Sequence, residues 1–264
     1  MVTLLPDWLT DIQIETATTP FVLEGATVRG VLWQATPGRF LLDVPDVARY
    51  CVEAGRTITI EPAPKSNAKA LARFLRMTPL AALLYQRGML AFHAAGAANA
   101  NGAVLFAGDS GAGKSTLLAA LLKQGWMLLA DDLAVVDLDE HGPPLVRPTF
   151  AEIRLWPDTI KYLDFSQDLP ALLATAAKPL RAIYWLTVHN QDDIELDELT
   201  GAERFRALGT LAYNSHIADA LLDRVEYMRQ ASIVARSVPI RRLRRPRGRW
   251  SVVELADQVV VRES

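Results

Sequence analysis

A chain of 264 residues, 50% hydrophobic and 22% charged, is long enough for one sizeable domain or two smaller ones and has the balance of a globular protein with a real core. Its formal net charge of −2 excludes a global attraction to nucleic acid or to an anionic membrane, so only local patches can act electrostatically. The single cysteine, Cys51, excludes an internal disulfide, and residues 79–108, the most apolar stretch, are broken by Gln86, Arg87, His93, Asn99 and Asn101 and cannot span a bilayer. The N-terminus MVTLLPDWLTD has acids where a secretory signal carries basic residues, so the expected location is cytoplasmic.

Residues 21–60 hold short alternating runs, VRGVLWQ, RFLLDV and RTITIEP, separated by the turn pairs Pro37-Gly38 and Ala54-Gly55. This pattern predicts a small β-rich N-terminal domain over residues 1–66, closed by the breaker-rich PAPKSN. Residues 68–86 carry helical spacing at Leu71, Phe74, Leu75, Leu80, Leu83 and Leu84, with a break at Pro79. Beyond Gly88 strand-like and helix-like runs alternate: MLAFHAAG, AVLFAG, TLLAALLKQ, MLLADDLAVVDL, LVRPTF and RAIYWLTV. Helices follow at 201–213 and 217–236, then a strand at 238–243 and a last helix at 250–261. The expectation is an α/β domain over residues 67–264.

Within that domain Gly108-Asp109-Ser110-Gly111-Ala112-Gly113-Lys114-Ser115 spell G-x-x-x-x-G-K-[ST], after the apolar run Val104-Leu105-Phe106-Ala107 and before a helix opening at Thr116. A strand, a glycine-rich turn and a helix N-terminus are what a phosphate-binding loop requires. The glycines let backbone N–H groups curl around phosphate oxygens, and the helix end adds partial positive charge. Lys114 is placed to reach β- and γ-phosphates and Ser115 to ligate Mg²⁺, so ATP and Mg²⁺ are the expected cofactors. The carboxylates expected beside the loop are Asp131 and Asp132, at the end of Met127-Leu128-Leu129-Ala130. One can hold the metal while the other accepts a proton. Taken alone, His93 reads as a hydrogen-bonded core residue and Glu152 as surface charge.

The stretch from His93 to Arg154 resembles the catalytic domain of HPr kinase/phosphorylase. A histidine precedes the loop, the loop is GDSGAGKS, LADD stands where that family has V-A-D-D, and Glu152-Ile153-Arg154 stands for its E-I-R. The resemblance covers about two-thirds of the chain. It implies that Asp131 accepts the proton, that Asp132 and Glu152 assist the metal or the site geometry, and that His93 supports the acids. The E-I-R-G-L-G-I signature of the family is here EIRLWPD, and Thr116 stands where bifunctional enzymes carry an acid, so the resemblance extends to the kinase and not to phosphorolysis. Within the family the run LLYQRGMLAFHAAGA through GAGKSTLLAALLKQGW is similar to the HPr-kinase-like kinases that phosphorylate a serine of lasso-peptide precursors.

The first expectation is therefore an ATP-dependent serine kinase whose partner is a peptide or small protein, with self-association into a homo-oligomer left open. The alternatives are an NTPase switch without kinase activity, HPr itself as acceptor, or a metabolite phosphotransferase related to phosphoenolpyruvate carboxykinase. The arginines at 236, 241, 242, 244, 245, 247 and 249 read as a solvated face, or as a patch that steers an acidic peptide or holds phosphate. With only Trp250 interleaved among them, nucleic acid is not the expected partner.

Overall fold

The computed structural model describes residues 5–138, 142–150, 153, 155–164 and 173–264. It divides into two compact units, residues 1–91 with 212–229, and residues 92–211 with 230–264.

The first unit begins with six strands, β1 (Gln13–Thr16), β2 (Val28–Arg29), β3 (Trp33–Thr36), β4 (Arg39–Val44), β5 (Ala48–Glu53) and β6 (Thr57–Pro62), in one sheet of order β1-β6-β5-β4-β3-β2. All neighbours are antiparallel except β1 and β6. Pro37-Gly38 makes the β3–β4 turn, with Gly38 at φ 76°. Two helices follow, α1 (Ala68–Leu75), capped by the Asn67 side chain, and α2 (Thr78–Gln86), with Pro79 in its first turn. Every residue of α2 from Pro79 to Tyr85 is buried, so it is a core element with no solvent stripe.

The boundary expected at residue 66 is displaced for that reason. The Tyr50 hydroxyl donates to the Leu71 carbonyl at 3.0 Å, the Gln86 amide donates to Val52 O at 3.1 Å, and the Gly55 N–H donates to Gln86 Oε1 at 2.7 Å. Both helices therefore pack on the small sheet. The same unit takes in α6 (Ser215–Leu221), because the buried Tyr85 hydroxyl donates to the carbonyl of Tyr213 at 2.5 Å. The chain passes from the first unit to the second through β7 (Leu90–Phe92), and α7 (Arg224–Ser237) carries it onward again.

The second unit is the α/β layer that the alternation predicts. Its strands are β8 (Ala94–Ala98), β9 (Ala103–Ala107), β10 (Met127–Ala130), β11 (Ala134–Asp137), β12 (Leu145–Arg147), β13 (Lys178–His189), β14 (Glu195–Glu198) and β15 (Ile240–Pro246). Its helices are α3 (Lys114–Lys123), α4 (Pro157–Leu163), α5 (Gly201–Leu211) and α8 (Val252–Glu263). β9 lies between β8, antiparallel, and β13, parallel. β13 pairs parallel with β15, and β14 closes on β15 antiparallel. All five residues of β9 are buried, so it reads as a continuous apolar run with no alternation. Leu117, Leu118 and Leu121 of α3 and Leu255, Ala256 and Val259 of α8 form one core with Val104, Phe106, Tyr184 and Leu243 of the sheet. The helix expected at 217–236 is two, α6 and α7. The short elements α4 and β14 were not legible in the sequence. Among the described residues no helix is long and apolar enough to cross a membrane.

Candidate active site

The loop from Gly108 to Gly113 joins the end of β9 to the start of α3. Two of its glycines are required on steric grounds. A Cβ on Gly108, at φ 139°, would lie 2.4 Å from Leu186 O of β13, and Gly113 caps α3 at φ 107°. Lys114, only 8% exposed, folds back over the loop, its ammonium donating to Gly108 O at 2.8 Å and Asp109 O at 3.3 Å. Burial lowers its pKa, against the opposing pull of Asp132, Asp131 and Asp109. A cation held in this way costs the empty protein stability and gives an anion something to neutralise.

β10 runs in the same direction as β9, with β8 between them, and the chain turns sharply at its end. The Leu133 N–H donates to Asp131 O at 2.9 Å across Asp132, which has φ 68°. This is a γ-turn with a non-glycine residue in a disfavoured region, the kind of local strain found at functional sites. It splits the two acids. Asp131 accepts a hydrogen bond from the Ser115 hydroxyl at 2.9 Å, whereas Asp132 joins the wall of a cavity of about 360 Å³ over the loop. His93 also lines that cavity, and its Nδ1 donates to the Asp132 carbonyl at 3.2 Å. Because a carbonyl only accepts, the proton of the neutral ring is on Nδ1. Burial, followed by the charge of Lys114, lowers the His93 pKa and favours that neutral ring.

Of the residues expected from sequence, Ser110, Gly111, Ala112, Gly113, Lys114, Ser115, Thr116, Asp132 and His93 line the cavity. Gly108 and Asp109 stand behind it, their carbonyls engaged by Lys114, and Asp131 lies beneath Ser115. Glu152, expected to assist the metal, lies outside the described residues. The Ser115 hydroxyl and the Asp131 carboxylate are hard oxygen donors in contact, which suits Mg²⁺.

The basic run resolves by strand periodicity. On one face of β15, Arg242 and Arg244 pair with Asp197 and Glu195, which stand opposite them on β14. On the other face Arg241 is bound to Glu263 and Tyr184, and Arg245 crosses to the loop between β9 and α3, donating to Ala112 O at 2.9 Å and Gly111 O at 3.2 Å. Burial and the neighbouring Arg247 lower the pKa of Arg245, which leaves it, like Lys114, a cation better accommodated beside an anion. The run is therefore dispersed: Arg242 and Arg244 lie in surface ion pairs, while Arg245 reaches the glycine-rich loop. Sequence reasoning also missed Leu155, Trp156, Leu186, Trp250, Ser251, Val252 and Leu255, which complete the cavity with Arg245 and Arg249. The available signal was a pair of tryptophans, one directly before Pro157 and one two residues after Gly248.

No protein-family model matches the sequence, and no curated protein does. Among solved structures the chain is similar to the HPr(Ser) kinase/phosphatase from Coxiella burnetii, at 12% identity over 65% of this chain and 94% of that one, with a TM-score of 0.35.

Proposed function

We propose that this chain is an ATP-dependent, Mg²⁺-assisted kinase that transfers the γ-phosphate to a serine hydroxyl of a peptide or small protein, a lasso-type precursor peptide being the favoured acceptor. The observation that carries the reading is the contact of Ser115 with Asp131 beside a phosphate loop whose lysine is buried and whose cavity also holds a second carboxylate. The loop amides and Lys114 hold the β- and γ-phosphates. Ser115 and Asp131 would hold Mg²⁺, which would supply charge neutralisation on the phosphates. The acceptor oxygen bonds to the γ-phosphorus as the bond to the β–γ bridging oxygen breaks, ADP departs, and the hydroxyl proton passes to a carboxylate.

The resemblance gives that proton to Asp131. The geometry supports the opposite assignment: Asp131 accepts from Ser115 and would share the metal with it, whereas Asp132 lines the cavity that an acceptor hydroxyl would enter. Neutral His93 supports Asp132 by holding its carbonyl. The test is incubation of the purified protein with ATP, Mg²⁺ and candidate precursor peptides, followed by mass spectrometry. The expected result is one phosphoryl group on a peptide serine with matching ADP. Release of inorganic phosphate with no labelled peptide would make the chain a nucleotide-driven switch, and labelling of HPr alone would replace the peptide acceptor.

A further inference from the structure

We propose that the aromatic cluster of Trp156, Tyr162 and Trp250 seats the nucleoside base, a proposal that rests on the nucleotide-binding reading above. Trp156 is 76% exposed, Tyr162 63% and Trp250 42%. Single exposed aromatics need no explanation, but here Tyr162 and Trp250 stack with ring centroids 4.6 Å apart and planes 27° apart, and Trp156 and Trp250 both line the phosphate-loop cavity.

The cluster is held to the loop helix. Thr159 of α4, 2% exposed, shares a hydrogen bond of 3.0 Å with the hydroxyl of Thr116 in the first turn of α3, and the Lys123 ammonium donates to the Leu163 carbonyl at the end of α4. Trp156 caps the N-terminus of α4, and Tyr162 is on the same helix. Trp250 comes from the other side, just ahead of α8, next to Arg249, which is bidentate on Glu254 at 3.1 and 2.8 Å. Two separate elements thus present aromatic rings beside a triphosphate-sized site.

The acid and the aromatic rings stand on different parts of the cavity wall. Lys114, His93 and Asp132 interact with one another and mark the reacting end, where the γ-phosphate and acceptor meet. A nucleotide anchored there lays its base toward the remaining wall, where Leu155, Trp156, Trp250, Val252 and Leu255 offer apolar and aromatic surface beside Arg245, Arg249 and Ser251. Every base has a π-face, so stacking alone accepts any of them, and ATP and GTP should bind alike.

Calorimetric titration of ATP, GTP and inorganic tripolyphosphate, each with Mg²⁺, into the wild type, W250A, W156A and W250F tests this. Each alanine variant should raise the Kd for ATP and for GTP by roughly 5- to 150-fold and leave that for tripolyphosphate unchanged, while W250F keeps most of the affinity. Equal losses for ATP and tripolyphosphate would overturn the proposal, because the loop itself would then be disturbed. Unchanged ATP affinity with a raised KM for peptide would also overturn it and assign the cluster to the acceptor. A wild-type protein that binds tripolyphosphate but gains nothing from the base sinks the platform alone. One that binds neither sinks the kinase reading.

Discussion

Lys114 illustrates at residue scale how a site opposes stability. Its ammonium is buried, and its lowered pKa means that the folded protein disfavours the charge that the solvent would stabilise. Lys114→Met should therefore hold or raise the melting temperature of the nucleotide-free protein and abolish the further rise expected of the wild type with ATP and Mg²⁺, as scanning calorimetry with and without ligand can show. The two adjacent aspartates differ in surroundings, Asp131 against Ser115 and Asp132 on the cavity wall, and the proposed mechanism gives them different roles. Asp132→Asn should leave Kd for ATP and Mg²⁺ within about threefold and lower single-turnover phosphoryl transfer by roughly 10² or more, because the amide cannot accept the proton. Asp131→Asn should weaken the Mg²⁺ dependence as well. If Asp132→Asn transfers at a near-normal rate, Asp131 is the base.

At the scale of the element, β15 carries four arginines whose fates differ by side. Arg242 and Arg244 sit at the surface in cross-strand pairs, with side-chain exposures of 28% and 27%, where each pair contributes little. Arg241 is 13% exposed and Glu263 8%, and their pair is completed by the Tyr184 hydroxyl donating to Glu263 at 2.6 Å. Removing one partner strands a buried charge. Glu263→Gln is expected to cost about 3–5 kcal/mol in urea unfolding, against under about 1 kcal/mol for Asp197→Asn. Equal costs would mean that the C-terminal end of α8 is not anchored through this triad.

At the scale of the whole molecule, alkaline stability follows from buried phenols. In the first unit burial pushes Tyr50 and Tyr227 up to about 12 and Tyr85 well above its ordinary value, and in the second unit burial and Glu263 raise Tyr184. Each folded-state pKa exceeds the unfolded value near 10. The unfolded chain therefore loses protons first, and stability that is complete below pH 10 falls as pH rises through 12. Urea midpoints should drop steeply between pH 10 and 11.5, and Tyr50→Phe should shallow that slope by on the order of 1–3 kcal/mol across the window. A slope unchanged in Tyr50→Phe would mean that Tyr50 does not titrate with unfolding.

The sequence by itself determined the features that depend on neighbours along the chain. GDSGAGKS between an apolar run and a helix start marked a strand-to-helix loop, Pro37-Gly38 a turn, and the alternation after Gly88 an α/β layer. Adjacency also placed Asp131 and Asp132 near the loop, but it could not tell them apart. That distinction comes from a γ-turn at the end of β10 that presents one acid to Ser115 and the other to the cavity. The partners of the arginines were likewise hidden, because strand pairing joins residues 45 to 49 positions apart, and Arg245 reaches a loop more than 130 positions earlier. The aromatic wall required α4 and the approach to α8 to converge, and α1 and α2 joined the first unit through hydrogen bonds to β5 and its turn. Long-range contacts of this kind leave no periodic trace in a single sequence, and only the tertiary structure decides them.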